Sequence, residues 1–429
     1  MRRKNWLVAG AVVAGLVLAG CGSNDNSSSS SGGGSSANEV EVFTWWTEGG
    51  EKAGLDGLVA TFEQQYPNEK FVNGAVAGGA GSNAKAVLAS RLQSGDPPDT
   101  FQAHAGAELK DYIVANQIQD LSSLYDEEGW TKVFPQGVLD AITSDGKIYS
   151  VPANIHRANV VWANPTVLQK AGIDPKKVPA DIQAWIADMK TLKDSGVEFP
   201  LAVATDWTQV QLLETVLISD LGPDGYVGLW DGTTDWSSSD VTAALNDYKT
   251  LMSYTNTDRS GLDWPDSLKY VTDGKSAYNV MGDWAAGTLI DEGLVENKDY
   301  VWFPVPGQAN VFDFLADSFT LPVGAPNETG AKDWLKTVGS AEGQKAFNTK
   351  KGSIPVRTDA NPSDYNSYQQ AAMKAFAKDT IVPSLAHGAA APVSWLTDIT
   401  SAVGQFGSTN DVAGFQKALV AAADSHLNG

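Results

Sequence analysis

Two adjacent indoles and a carboxylate stand within seven residues at Trp45-Trp46-Thr47-Glu48-Gly49-Gly50-Glu51. An indole covers apolar C–H surface with a rigid ring. A carboxylate accepts hydrogen bonds from hydroxyls, each charged bond contributing about 1.5–3 kcal/mol against about 1 for a neutral one. Together these groups can hold a polyhydroxylated ring without transforming it. The stretch is preceded by strand-like Glu41-Val42-Phe43-Thr44 and followed by a helical pattern at Leu55, Leu58, Val59, Phe62 and Tyr66. Open α/β sheets hold ligands outside the carboxyl ends of their strands. Trp45, Trp46 and Glu51 are therefore expected to form one wall of a sugar site. A second acid–aromatic strand end, Met281-Gly282-Asp283-Trp284, resembles the first.

Each of these residues also has a structural reading. Glu51 suits a helix N-terminus, where the macrodipole favours an acid. Asp283 reads as the N-terminal acid of a helix opening at Trp284. Most of the fourteen tryptophans must be packing residues, and Trp162, Trp185 and Trp334 sit in apolar periodic patterns that place them in the core.

The elements that must position these groups begin as strand, helix, strand. Phe71 to Val76 is strand-like, Asn83 is placed to cap a helix carrying Ala86, Val87, Leu88 and Leu92, and Ser94-Gly95-Asp96-Pro97-Pro98-Asp99 stops it. Thr100-Phe101-Gln102-Ala103-His104 is a third strand, again ending in polar residues. This alternation implies a parallel α/β sheet. Gly146 to Pro152 and Asn159 to Trp162 are further strands, and a lobe crossover is expected between Tyr149 and Trp162. Helices follow at Asp181 to Leu192, Val210 to Ser219 and Thr234 to Tyr254, then a strand from Gly274 to Trp284. Phe303 to Gly307 and Asp317 to Pro322 are expected to return to the first lobe, and helices dominate from Ala331.

The first residues carry an address. Arg2, Arg3 and Lys4 form a basic start, and Trp6 to Val17 is an apolar run too short to span a membrane comfortably. It ends Leu18-Ala19-Gly20-Cys21, which looks like a lipobox, with Cys21 the acylated residue and the only cysteine of the chain. Gly22 to Asn38 is almost all Ser, Gly and Asn, a composition that forms a tether spanning about 20–25 Å. No later segment is apolar for long enough to cross a membrane. The formal charge of −21 argues against nucleic acid, which needs a positive footprint.

Seven segments together resemble the extracytoplasmic solute-binding proteins of bacterial ABC sugar importers, most of all the glucose- and mannose-binding branch. They are Trp-Trp-Thr-Glu-Gly-Gly-Glu at 45–51, Gly-Asp-Pro-Pro-Asp at 95–99, Asn-Ile-His-Arg-Ala-Asn at 154–159 and Met-Gly-Asp-Trp at 281–284. Asp-Ser-Phe at 317–319, Lys-Gly-Ser-Ile-Pro-Val-Arg at 351–357 and Ala-His-Gly at 386–388 complete the set. The resemblance covers nearly the whole mature chain. It implies an α/β, two-lobed periplasmic-binding-protein fold (type II-like), with hinge strands joining the lobes and a sugar site in the cleft. It also implies sugar contacts at Trp45, Trp46, Glu51, His104, Trp284, Asp317, Lys351 and His387, with Trp46 the stacking indole of the opening pair. Lys351, His104 and His387 are then donors to hydroxyls, and Glu51 and Asp317 acceptors. The position two residues before Asp317, an amide in some glucose binders, is Leu315 here. His156 and Arg157 are read as braces of the crossover strands.

The implied arrangement is a leader at 1–20, a tether at 21–38, a first lobe at 39–150, a second at 151–300, a return at 301–357 and C-terminal helices at 358–429. The implied partners are a monosaccharide, glucose first, with galactose, mannose or a disaccharide as the alternative ligand, and two permease subunits with a cytoplasmic ATPase. The body is expected to be a monomer, without cofactor or metal, held to the membrane only through Cys21. Two rivals remain. A glycoside hydrolase needs two carboxylates about 5–10 Å apart, for which Glu51 and Asp317 are the available pair. A metal protein needs clustered ligands, and the four histidines form neither HxH nor HExxH. No Gly-x-Ser-x-Gly elbow or Walker lysine motif occurs.

Overall fold

Val40 and Val42 alternate with Glu39 and Glu41 in the strand Glu39–Phe43, so one face is buried and the other half-exposed. The computed structural model describes residues 38–78 and 81–428. The leader, Cys21 and the Ser/Gly-rich stretch up to residue 37 lie outside the described residues.

A five-stranded sheet forms in the order Lys70–Asn73, Glu39–Phe43, Thr100–His104, Asp317–Thr320, Ser150–Pro152. The first three strands are parallel, as strand–helix–strand alternation requires. The helices Gly49–Gln65 and Ser82–Ser94 make the connections. Asp317–Thr320 enters antiparallel to Thr100–His104, so the sheet is mixed. Its register sets Asp317 directly opposite His104. Asn83 is not the cap of its helix: Gly81 takes that place in a left-handed conformation, and the Asn83 amide donates to the Ala77 carbonyl at 3.1 Å.

A second sheet runs Val301–Pro304, Val160–Ala163, Tyr278–Val280, Leu201–Ala202. Phe303 therefore pairs opposite Val161 and packs on the second sheet, not on the way back into the first. The reason is its pattern: Val301 and Phe303 are buried while Trp302 and Pro304 are not, and Phe303 meets Tyr278 edge-on. The segment from Gly274 is a strand only over Tyr278–Val280, and Trp284 opens a helix, Trp284–Asp291. Trp264–Thr272 is also a helix, started by an Asp263 capping box.

Two apolar cores go with the two sheets. The first gathers Val40, Val42, Phe62, Phe101 and Trp334, and the second Trp185, Leu213, Leu217, Tyr248 and Phe406. Trp162 is buried in the first core, at the border between them. A third, three-stranded sheet has the order Thr380–Pro383, Val311–Leu315, His156–Arg157. Val311–Leu315 and His156–Arg157 are the stretches by which the chain passes from one large sheet to the other. The molecule is thus a two-lobed α/β protein with hinge strands between the lobes. Among the described residues no helix is long and apolar enough to cross a membrane.

The Trp284–Asp291 helix is pressed onto the first lobe through glycine. A Cβ on Gly287 would stand 2.5 Å from the Lys351 carbonyl oxygen and 2.6 Å from that of Lys350. One on Gly50 would touch the Gly287 backbone at 3.1 Å. Gly287→Ala is therefore expected to lower unfolding free energy by about 1–3 kcal/mol, measured by denaturant titration. An unchanged midpoint would mean that this backbone contact gives way freely.

Candidate ligand-binding site

Asp317 follows the hinge strand Val311–Leu315 after a single residue and lies almost fully buried at the end of the first sheet. Its Oδ1 accepts from Gln102 Nε2 at 2.9 Å, and its Oδ2 from Asn154 Nδ2 at 2.8 Å. Its own backbone N–H donates to Asn154 Oδ1 at 2.9 Å. His156 Nε2 stands 3.2 Å from Oδ2, and His104 Nε2 3.6 Å from Oδ1. Burial alone would raise the pKa of this carboxyl. The bond from His156 and the charges of Lys351, His156 and His104 outweigh that and hold it far below the usual carboxylate range.

His156 is the bridge. Its Nδ1 meets Asp283 Oδ1 on the side away from Asp317. Burial pushes the imidazole pKa down, but Asp283 and Asp317 more than offset it, and the net shift is upward. Asp283 is accordingly not a capping acid. It occupies the cap position, but its side chain makes no capping bond. Its second oxygen accepts from the Arg157 N–H at 3.0 Å and the Tyr368 hydroxyl at 3.2 Å. A buried charge with a histidine within reach pairs with it before it serves a helix end.

His104 is fixed from behind. Glu108, fully buried, stands 2.8 Å from His104 Nδ1 and 2.7 Å from the Lys85 ammonium. Burial would raise the Glu108 carboxyl, but Lys85 and His104 bring it down to about 2. An ionised carboxylate only accepts, so Nδ1 carries a proton and Nε2 faces Asp317. Lys351 ends the helix Ala341–Lys351, and its ammonium pairs with Glu51 at 2.7 Å. Glu51 lies in the first turn of Gly49–Gln65, so each charge also suits its helix end. The same ammonium lies 5.5 Å from the Trp46 ring and 5.8 Å from the Trp284 ring.

These groups surround a cavity of about 550 Å³, its open mouth included. Trp45, Glu51, His104, Trp284, Asp317, Lys351 and His387 all line it. Trp46 does not. It is completely buried against Phe347 at 4.7 Å and Phe319 at 5.6 Å, and so belongs to the core beneath Lys351. The indole of the pair that faces the cavity is Trp45, held 5.0 Å from the His104 ring and lying directly under Gly81.

Nine further residues line the cavity, and three of them carry aromatic rings that the sequence does not mark as contacts: His156, Trp207 and Trp264. The last two follow an aspartate, in Asp206-Trp207 and Asp263-Trp264, at or next to a helix start, as does Trp284. That repeated pattern was the available signal. The dipeptide alone does not suffice, since Trp236 and Trp334 also follow aspartates and are core residues.

The lining offers fixed acceptors, fixed cations and indole faces, which suit recognition. A family model described as bacterial extracellular solute-binding protein matches residues 45–345. The chain belongs to this family. It is a binding protein, not an enzyme. An uncharacterised ABC transporter extracellular-binding protein of Pyrococcus horikoshii is 36% identical, over 95% of this chain and 92% of its own. A protein of Brucella suis described as a "probable sugar-binding periplasmic protein" is 30% identical, over 90% and 92%. Among solved structures, a chitin oligosaccharide binding protein superimposes with a TM-score of 0.79 at 19% identity, over 91% of this chain and 99% of that one, which shows a shared fold.

The network gives the solute-binding protein a pH signature. The His156 value is raised on folding, so its stabilisation is complete below about pH 6.5 and is lost as pH rises through the raised value. The Asp317 value is depressed, so its share is complete above about pH 3.9 and is lost on acidification. Denaturant titrations of the wild type between about pH 6 and 9 should show unfolding free energy falling with pH, and His156→Gln should flatten that slope. Equal slopes in the two proteins would contradict a charged His156.

Proposed function

We propose that this chain is the substrate-binding protein of an ABC sugar importer and that it captures a neutral monosaccharide, D-glucose being the first candidate. The observation that carries this reading is the cavity itself. A fixed, ionised Asp317 and the His387 ring, whose buried Nε2 has no partner, line one space with Trp45 and Trp284. Sugar hydroxyls satisfy such groups while the ring's C–H face covers an indole. An epimer leaves a buried polar group unpaired, which is how such a site discriminates. Delivery then falls to the permease subunits and their ATPase.

A pentose is the second reading, and Leu315 favours it. Among the described residues lining the cavity it is the one aliphatic side chain. Xylose and arabinose lack the exocyclic hydroxymethyl group of a hexose and demand fewer partners. A relative in Haloferax volcanii is described as a xylose/arabinose-binding protein.

Hydrolysis finds no support in the geometry. Asp317 is held ionised, and Glu51 is tied to Lys351. Asp317 is thus not the raised-pKa acid that glycoside cleavage needs. Release of reducing sugar from oligosaccharides above background would overturn the binding reading.

Titration calorimetry against D-glucose, D-galactose, D-mannose, D-xylose, L-arabinose and maltose decides the ligand, with saturable binding of at least one monosaccharide expected. Against that sugar, Trp284→Ala and Asp317→Ala should each weaken binding at least about tenfold in a folded protein. Trp45→Ala should cost more than Trp46→Phe, which keeps the core filled. If the first two variants bind as the wild type does, the site lies elsewhere.

The tether and Cys21 complete the proposal as a lipid anchor on the outer side of the membrane. In a bacterial host, the wild type should partition with membranes and Cys21→Ser should appear in the soluble extracytoplasmic fraction. Equal partitioning of the two would exclude acylation at Cys21.

A further inference from the structure

Two carboxyl side chains are fully buried behind the cavity without lining it. Glu214 lies in the long helix Asp206–Asp231, and Asp313 in the hinge strand Val311–Leu315. Glu214 collects the donors: the Ala386 N–H at 2.9 Å, and the Ser384 hydroxyl at 3.1 and 3.2 Å from its two oxygens. Neither oxygen of Asp313 has a donor, and its carboxyl faces Glu214. Burial pushes both pKa values up, Glu214 to about 7 and Asp313 well above its ordinary range. Because Glu214 already accepts from the Ala386 N–H and from Ser384 while Asp313 accepts from no donor, the one proton the pair shares sits on Asp313, which donates it to Glu214.

Ser384 passes this arrangement on. A serine hydroxyl has one proton to give and lone pairs to accept with. With Glu214 able only to accept, the Ser384 proton points at Glu214, and its lone pair faces His387 Nδ1 at 2.9 Å. His387 Nδ1 must then carry a hydrogen. Burial, with His104 and His156 nearby, keeps the His387 ring neutral at physiological pH. Its Nε2 is buried, has no partner and belongs to a residue lining the cavity.

We infer that Glu214, acting through Ser384, is a positioning residue that locks His387 in the tautomer with the proton on Nδ1, so that Nε2 offers the cavity a hydrogen-bond acceptor. His387 is thus not the donor that its type suggests in the sequence. Together with Asp317 it gives the cavity two acceptors that demand O–H or N–H groups on the ligand. Ionised carboxylate groups, which only accept, are refused at both places. This consequence for the ligand rests on the sugar reading; the tautomer does not.

Long-range ¹H–¹⁵N spectra of the ligand-free, ¹⁵N-labelled full-length protein test the inference, because they separate protonated from bare imidazole nitrogens. The chain has four histidines, and the His387 signals are those lost in His387→Gln. At about pH 8, the wild type should show a protonated Nδ1 and a bare Nε2. The reverse pattern overturns the inference. In Glu214→Leu, Ser384 is free to donate to Nδ1, and the Nε2 signal should move to its protonated position. In Ser384→Ala, which decides the matter if the Glu214 variant does not fold, the same signal should shift at least part of the way. An Nε2 signal that stays at the wild-type position in a folded variant shows that Glu214 and Ser384 merely fill space. No sugar is needed, so this result stands apart from the calorimetry that tests the sugar reading.

Discussion

The buried run Asp283–His156–Asp317 is the constraint on which the rest of the structure depends. Its members come from the start of a helix following the second sheet, from a hinge strand and from the first residue of an inner strand of the first sheet. Removing one partner from such a run leaves a buried charge unpaired, at a cost of about 3–5 kcal/mol. The three elements are thereby held in one register. Gln102 and Asn154 each donate to one oxygen of Asp317, so its carboxylate is fixed rather than free to turn. Around it, Glu108 fixes His104, Glu51 fixes Lys351 and Ser384 fixes His387. Each cavity group has a second group behind it, the condition for a site that discriminates by geometry.

This arrangement suits binding rather than bond cleavage. The carboxylate at its centre is held too acidic to act as a proton donor, and the lysine is spent on an ion pair across two indoles. The cavity lies between the two large sheets, beside the strands by which the chain crosses between them. A ligand that contacts both sides adds its binding free energy only to states in which the sides are close, so capture biases the protein toward closure. That linkage, and not catalysis, is the work the fold performs.

Much of this was legible in the sequence because strand ends carry the site. The strand Thr100–His104 appears where its pattern places it, ending in a cavity histidine. The losses have particular causes. Trp45 and Trp46 follow the end of a strand, in a segment without regular alternation, so their facing could not be read from a period of two. Asp283 stands where a capping acid would, and only the fold brings His156, far away in the chain, beside it. His156 braces the crossover strands, as its place in the chain suggests, and the same ring also reaches the cavity. Glu214 stands among the apolar residues Leu212, Leu213, Val216, Leu217 and Ile218, a buried-acid signal, but its partners Asp313 and Ser384 are distant in sequence.

The most direct measurement is a crystal structure of the protein with the monosaccharide selected by calorimetry. The expected result is a sugar within hydrogen-bond distance, about 2.6–3.2 Å, of an Asp317 oxygen and of His387 Nε2. Its C–H face should lie against Trp284 or Trp45, with Trp46 still in the core. A sugar bound away from Asp317, or stacked on Trp46, would contradict the site described above.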